Sequence, residues 1–202
     1  MLQVLPTLAV ACISFLAGAL TLHILQTRKN SSREPDGKGT APEHEFLQKH
    51  IDKFAMVPAF RAYSKNEAID QLVDIAGQSF PDIVTKIEEA KQAVYKREES
   101  MPTGLDYGIA VPHGRTAAVR QVCGAIALVD NSKNDNGIIP DYETIDHSKI
   151  QIICLMLIPD SMNASYLQML STFIRIFQNA DNREQLLSCK TPKDMKRFFN
   201  SF

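Results

Sequence analysis

The chain begins with a long apolar stretch. Residues 1–27 contain no Asp, Glu, Lys or Arg, and residues 8–25 are almost wholly apolar. A helix over residues 8–25 would span roughly 27 Å, which is close to the hydrocarbon thickness of a bilayer. The first basic residues, Arg28, Lys29 and Arg33, follow this stretch. Because Lys and Arg are enriched on cytoplasmic flanks, residues 1–27 are predicted to be an uncleaved, single-pass transmembrane anchor with the rest of the chain on the cytoplasmic side.

Two other interpretations of this stretch remain open. One is a secretory signal peptide that lacks the usual positive n-region, and the other is a lipoprotein signal cleaved before Cys12. The apolar region continues past Cys12, although it should precede such a cleavage site. Residues 28–45 are polar, mixed in charge and rich in turn formers, which is typical of a flexible tether. A folded domain is then predicted over residues 46–202.

Hydrophobic periodicity within residues 46–202 alternates between that of helices and that of strands. The predicted elements are a helix begun by a capping box at Ser64 and Glu67 and stopped near Gly77, a helix from Pro81 to Arg97, strands over 122–129 and 150–158, a helix from Asn163, and a last helix capped by Thr191 and Pro192. The apolar run that Pro159 ends is typical of a central strand. Helices that alternate with short strands indicate an α/β or α+β sandwich.

Composition narrows the possible functions. The 202 residues include 22 Lys+Arg and 23 Asp+Glu, for a net charge of -1, which argues against a nucleic-acid-coating protein. Hydrophobic residues make up 45% and charged residues 22%, as in ordinary globular proteins rather than disordered ones. The four cysteines are too far apart in sequence to predict a metal pair or a disulfide scaffold, so we expect reduced thiols.

The segment from residue 101 to residue 115 carries the candidate chemistry. Its two prolines and three glycines exclude a helix. His113 lies between Pro112 and Gly114, where a sheet edge can expose the ring on a stiff support. A neutral imidazole offers a ring nitrogen as nucleophile, and a phosphoryl group on that nitrogen would attract a bidentate arginine such as Arg97. The glycines would leave room and backbone N–H groups for a bulky anion. A histidine with only a structural role in a turn remains the competing interpretation.

Three short motifs lie in this part of the chain: Arg97-Glu98, Thr103-Gly104, and the run Gly108-Ile-Ala-Val-Pro-His-Gly114, which contains His113. Together they resemble the phosphorylation-site signature of the fructose/mannitol-family IIA domains of the bacterial phosphoenolpyruvate-dependent phosphotransferase system, a family that includes a nitrogen-regulatory branch. The resemblance covers about residues 56–202, and includes the buried strand that ends in Pro159.

The resemblance implies that His113 receives a phosphoryl group from the phosphocarrier HPr. The group would then pass to a separate IIB domain, or serve as a regulatory mark that controls a transporter or kinase. It also implies a mixed sheet flanked by helices on both faces, and no metal or organic cofactor. The residues implied at the phosphoryl site are His113, Arg97, Thr103, Gly104, Gly108 and Gly114.

One position departs from the family pattern. Family members usually carry a second histidine seven residues after the strand-ending proline, where this chain has Tyr166. A tyrosine hydroxyl can donate a hydrogen bond to phosphate but cannot become cationic. We therefore expect His113 to be phosphorylated and onward transfer to be altered, unless Tyr166 belongs only to the core. Arg115 is a further candidate for steering the anionic group, with a solvated side chain as the alternative.

Overall fold

The computed structural model describes residues 41–130, 139, 141–162 and 165–202. The predicted anchor lies outside these ranges, as does the predicted tether up to residue 40. Among the helices that the structure describes, none has the length and apolar character needed to cross a membrane. The described residues form a sheet with helices packed on it.

The helices are α1 (Ala41–Ile51), α2 (Lys65–Ser79), α3 (Ile87–Ser100), α4 (Ser165–Gln178), α5 (Ala180–Ser188) and α6 (Pro192–Phe199). The strands are β1 (Phe54–Phe60), β2 (Ile109–Ala110), β3 (His113–Thr116), β4 (Cys123–Val129) and β5 (Ile152–Pro159). A short 3-10 turn at Asp106–Gly108 precedes β2.

The five strands form one mixed sheet in the order β1-β4-β5-β2, with β3 also paired to β5. Strands β4 and β5 are antiparallel, whereas the other pairs are parallel. Strands β2 and β3 lie one after the other along the same edge of β5: Ile109 pairs with Ile152, and His113 pairs with Met156. The sheet edge that carries His113 is therefore interrupted.

Both faces of the sheet are covered, so its central strands are apolar throughout. In β5, Leu155 and Leu157 contribute to a core shared with α2 and α3. The intervening Cys154 and Met156 contribute to a second core shared with α1, α4, α5 and α6. The period-two alternation of a strand thus divides one continuous hydrophobic run between two cores. This arrangement confirms the predicted mixed sheet with helices on both faces.

Two of the predicted helix caps are confirmed. The Ser64 hydroxyl accepts from the Glu67 N–H at 3.1 Å, although the Glu67 carboxylate accepts from the Tyr63 N–H rather than from Ser64 itself. Thr191 and Asp194 form a complete capping box at the start of α6. Local side-chain chemistry was therefore sufficient to place both helix starts.

Other element bounds differ from the prediction. Helix α2 continues past Gly77 to Ser79, and α3 begins at Ile87 rather than at Pro81. A Cβ at Gly77 would lie 2.9 Å from the Ile87 Cδ1, so the glycine makes room for the next helix instead of ending its own. Helix α1 begins at Ala41, within the predicted tether. Asn179 caps a separate helix, α5, which the pattern did not predict.

Strand β1 was also missed, because Pro58 lies within it. Proline cannot donate to a strand ladder and is tolerated at edges and bulges. Strand β1 is an edge strand, and its register against β4 shifts between Val57 and Phe60. The irregularity accommodates the proline.

Candidate functional site

His113 is the first residue of β3, directly after the break in the sheet edge. Strand β2 ends at Ala110, and Pro112 offers no N–H with which to continue the ladder. The Pro112 carbonyl accepts from the Met156 N–H at 3.0 Å, which ties the break to β5. The histidine is thus mounted on backbone that is held on both sides.

The imidazole ring of His113 has a defined tautomer. Its Nδ1 lies 2.9 Å from the carbonyl oxygen of Val111. A carbonyl can only accept, so Nδ1 carries the hydrogen and the Nε2 of the neutral ring keeps its lone pair. The sequence predicts a nucleophilic ring nitrogen without saying which, and in this tautomer only Nε2 has a free lone pair.

The expectation of an exposed ring is wrong, because His113 is only 6% exposed. This burial is the main cause that lowers the pKa of His113 to about 4; the hydrogen bond to Val111 raises the pKa, and the charge of Arg97 lowers it further. The ring is consequently neutral near pH 7.

Gly114 determines which way His113 points. A Cβ at Gly114 would lie 2.7 Å from the Val94 nitrogen and 2.8 Å from the Ala93 carbonyl carbon, so only glycine lets β3 approach α3 this closely. Side chains alternate along a strand. His113 and Arg115 therefore project to the other face of the sheet, which α4 covers.

Arg97 lies in the last turn of α3 and is half-buried. Its Nη1 donates to the carbonyl of Met101 at 2.8 Å, and the N–H of Met101 in turn donates to the Arg97 carbonyl at 3.2 Å. Among the described residues no carboxylate pairs with this guanidinium. The charge of Arg97 lowers the pKa of His113, so the two side chains interact electrostatically.

Thr103, which the sequence predicts at the phosphoryl site, is held by a buried carboxylate. The residue is 4% exposed; its hydroxyl donates to the Glu98 Oε2 at 2.6 Å and its N–H donates to the Glu98 Oε1 at 3.1 Å. The hydroxyl proton is therefore engaged by a buried carboxylate rather than directed at a phosphoryl group. Thr103 supports the loop in front of His113.

Gly104 and Gly108 allow close packing of the backbone and do not leave open space for an anion. A Cβ at Gly104 would lie 1.9 Å from the carbonyl oxygen of Glu143. Gly108 has a φ of +69°, and a Cβ there would lie 2.2 Å from the carbonyl oxygen of Lys149. The space that a side chain would take is filled by residues 143–149, which corrects the expectation that these glycines clear a path for the anion.

Tyr166 lies in the first turn of α4 and is half-buried. The guanidinium of Arg115 lies 5.6 Å from the centroid of its ring, a cation–π contact. The Nη2 of Arg115 also donates to the carbonyls of Asp160 and Met162, at 2.7 and 3.0 Å. The two residues singled out separately in the sequence are thus in contact, and a fixed cation lies beside the tyrosine.

Two residues of the site had no predicted role. Glu98 is 3% exposed, and it continues the buried stripe of Ala90 and Val94 at a spacing of four, a signal that was present in the sequence. Tyr142, whose hydroxyl lies 3.2 Å from the Thr103 Oγ1, carried no sequence signal because it belongs to an irregular segment. His147 is exposed in a turn remote in sequence from the motif.

Comparison with known proteins finds relatives in sequence and solved structures of the same fold. The fructose-specific EIIA component of Haloferax volcanii is 29% identical over 133 residues, covering 66% of this chain and 80% of that protein. The crystal structure of the nitrogen regulatory protein IIA-Ntr from Neisseria meningitidis superposes with a TM-score of 0.62 at 20% identity, covering 77% of this chain and 99% of that one. The complex of enzyme IIA mannitol with phosphorylated enzyme IIB mannitol from Escherichia coli gives a TM-score of 0.55 at 17% identity, covering 73% and 95%.

The sequence model of one family matches residues 50–202, which include every described element from β1 to α6. That family is described as the phosphoenolpyruvate-dependent sugar phosphotransferase system, EIIA 2. The match covers well over half of the chain, and the chain therefore belongs to the EIIA 2 family of the phosphoenolpyruvate-dependent sugar phosphotransferase system.

Proposed function

We propose that the domain is a phosphocarrier in which His113 accepts a phosphoryl group on Nε2 and passes it to a second protein. The observation that carries the proposal is the hydrogen bond from Nδ1 to the Val111 carbonyl, which leaves Nε2 as a lone-pair donor on a neutral ring. Histidine is one of the side chains that form covalent intermediates in group transfer.

The proposed transfer balances without a metal or an organic cofactor. The Nε2 lone pair forms the new N–P bond while the N–P bond of the donor's phosphohistidine breaks, and the donor ring keeps that electron pair. The hydrogen on Nδ1 stays in its bond to Val111, whose carbonyl stabilises the positive charge that the ring acquires. The guanidinium of Arg97 balances the negative charge of the phosphoryl oxygens.

We propose HPr as the donor and a IIB domain as the acceptor. The complex of enzyme IIA mannitol with phosphorylated enzyme IIB mannitol, which has the same fold, supports the choice of acceptor. Residues 8–25 would hold the carrier at the inner membrane, near a membrane-bound transporter, and residues 28–40 would let it move there. Protease protection in cells tests this topology: digestion from outside the cell would contradict a cytoplasmic domain.

The decisive experiment is incubation with phosphoenolpyruvate, enzyme I and HPr. We expect an acid-labile label on the wild-type protein and no label on His113→Ala. His147→Ala is the control for another histidine: it removes an exposed imidazole while leaving His113 in place, and the protein should still be labelled. A wild-type protein that stays unlabelled would refute the phosphocarrier function.

A regulatory module is the second candidate, and Tyr166 is the observation that favours it. With tyrosine in place of the family's second histidine, the protein would take up the phosphoryl group but release it poorly, and would control a transporter or kinase by docking. Transfer from the labelled protein to a IIB domain separates the two functions. The phosphocarrier predicts rapid transfer, and Tyr166→His should increase the rate if the tyrosine is what limits it.

A further inference from the structure

A continuous path of hydrogen bonds runs from the end of α3 to the ring of His113. The carboxylate of Glu98 accepts both the N–H and the hydroxyl of Thr103. The carbonyl of Thr103 accepts from the N–H of Val111 at 3.1 Å, and the carbonyl of Val111 accepts from the Nδ1 of His113 at 2.9 Å. Each link fixes the acceptor of the next one.

Tyr142 extends this path to a different part of the chain. The single hydroxyl proton of Thr103 is donated to Glu98, so at the 3.2 Å contact the Tyr142 hydroxyl is the donor. Tyr142 is 4% exposed and follows Ile139 in a turn between β4 and β5. Three buried polar side chains from α3, from the loop before β2 and from this turn therefore meet at one point.

Burying these three polar side chains costs folding free energy, which suggests that they have a role other than stabilising the fold. Glu98 is 3% exposed, and within the described part of the chain its carboxylate forms no ion pair. A buried carboxylate that is satisfied only by hydrogen bonds stabilises a fold less than an apolar residue of similar size would. Since Ala90 and Val94 precede Glu98 on the same buried stripe, a leucine there would continue the core.

We propose that Glu98, Thr103 and Tyr142 are positioning residues that hold the Val111 carbonyl in place and thereby keep the ring of His113 in the Nδ1–H tautomer. The inference rests on the proposed function for its consequence in phosphoryl transfer. Its structural part concerns the unphosphorylated protein and is testable alone. None of the three residues needs to touch the phosphoryl group.

The test uses Thr103→Val and Tyr142→Phe, which each delete a hydroxyl and keep the shape of the side chain. Nitrogen NMR of the His113 ring in the unphosphorylated protein reports the tautomer directly. We expect the wild type to show Nδ1–H alone, and both variants to show a mixture with the Nε2–H form. The rate of labelling by phosphorylated HPr should fall about tenfold in Thr103→Val and less in Tyr142→Phe, because a small misplacement of a reacting group has effects of this size.

Thr103→Ser is the rescue variant, since it retains the hydroxyl, and should restore both the tautomer and the rate. Tyr95→Phe is the matched control: it deletes a tyrosine hydroxyl that donates to Asp70 between α2 and α3, away from the site. It should leave the His113 signals unchanged even if it lowers the stability of the fold.

A folded Tyr142→Phe or Thr103→Val protein with His113 still wholly in the Nδ1–H form would overturn the proposal. If Thr103→Val does not fold, Tyr142→Phe decides alone, because it removes only the outermost hydrogen bond. If both variants show the expected mixture of tautomers but the wild-type protein is not labelled, the phosphocarrier function is refuted and the positioning role remains.

Discussion

The two edges of the sheet each contain a strand that a proline interrupts, with different results. At the β1 edge, Pro58 lies in an irregularity between Val57 and Phe60, after which pairing with β4 resumes. At the other edge, Pro112 separates β2 from β3, and each pairs with its own part of β5. Proline thus causes only an irregularity within β1, whereas at the other edge it separates two strands, the second of which begins with His113.

The difference lies in what occupies the backbone groups beside each break. Beside Pro112, the Val111 carbonyl accepts from a side chain, the ring of His113. Beyond the β1 break, the Phe60 carbonyl accepts from the Asp130 N–H at 2.9 Å, a backbone bond without a titrating partner. A break in a strand frees hydrogen-bonding groups, and at Pro112 the side chain of His113 takes one of them.

The largest expected effect is a loss of folding stability at acid pH, caused by the buried ring of His113. The lowered pKa of His113, about 4 against an ordinary value of 6.5, means that the unfolded chain binds a proton first as the pH falls. Stability contributed by the neutral ring is therefore complete above pH 6.5 and decreases toward pH 4, by about 3 kcal/mol over the window. Urea unfolding of the wild type and of His113→Gln at several pH values should show a shallower decrease in the variant. Parallel curves would contradict the buried, neutral ring.

The next largest effect compares an arginine near each edge of the sheet, Arg97 at the end of α3 and Arg61 after β1. Arg97→Gln should lower the rate of labelling by phosphorylated HPr about 100-fold, because preorganised charge at a transferring group contributes effects of that order. Arg61→Gln is the control at the β1 edge, where the guanidinium pairs with Asp130. Labelling reactions stopped at a series of times measure the rates of both variants. Equal rates in the two would show that Arg97 does not belong to the site.

The prolines themselves provide the most direct test of the comparison. Pro112→Ala adds an N–H at the break and lets the ring of His113 shift, so labelling should slow about tenfold. Pro58→Ala at the opposite edge should leave labelling unchanged and alter the free energy of unfolding by less than about 1 kcal/mol. Comparable losses of activity in both variants would show that the two breaks do not differ in function.

The smallest expected effect concerns Tyr166. Tyr166→Phe keeps the aromatic ring against Arg115 and removes only the hydroxyl. Release of the phosphoryl group to a IIB domain should slow about threefold, as for the loss of one hydrogen bond, while uptake from HPr stays the same. Separate donor-side and acceptor-side rates measure the two steps; no change in either would assign Tyr166 to packing alone.

The sequence predicted the fold class, the caps of α2 and α6, and the position of His113, because periodicity, capping and the motif around the histidine are all local signals. It missed β1, since a proline in a single sequence argues against a strand and does not reveal an edge. The burial of His113 and the contact between Arg115 and Tyr166 arise from tertiary packing. They could not be read from residues so far apart in sequence.

The packing partners of Thr103 and Gly104 could not be predicted, for a related reason. Both lie in the motif, so both were assigned to the phosphoryl group. Their partners, Glu98 and the backbone of Glu143, become visible only once the segment after β4 is in place. The motif therefore predicts a site at His113 but does not show which of its residues are held by other parts of the fold.

The paired interruptions have a consequence for solubility. Unpaired strand edges are templates on which a second chain can add a strand and begin aggregation. With Pro58 on one side and Pro112 on the other, neither border of the sheet that the described residues form offers a long, regular row of free donors and acceptors. The break that mounts His113 thus also discourages edge-to-edge self-association of the domain.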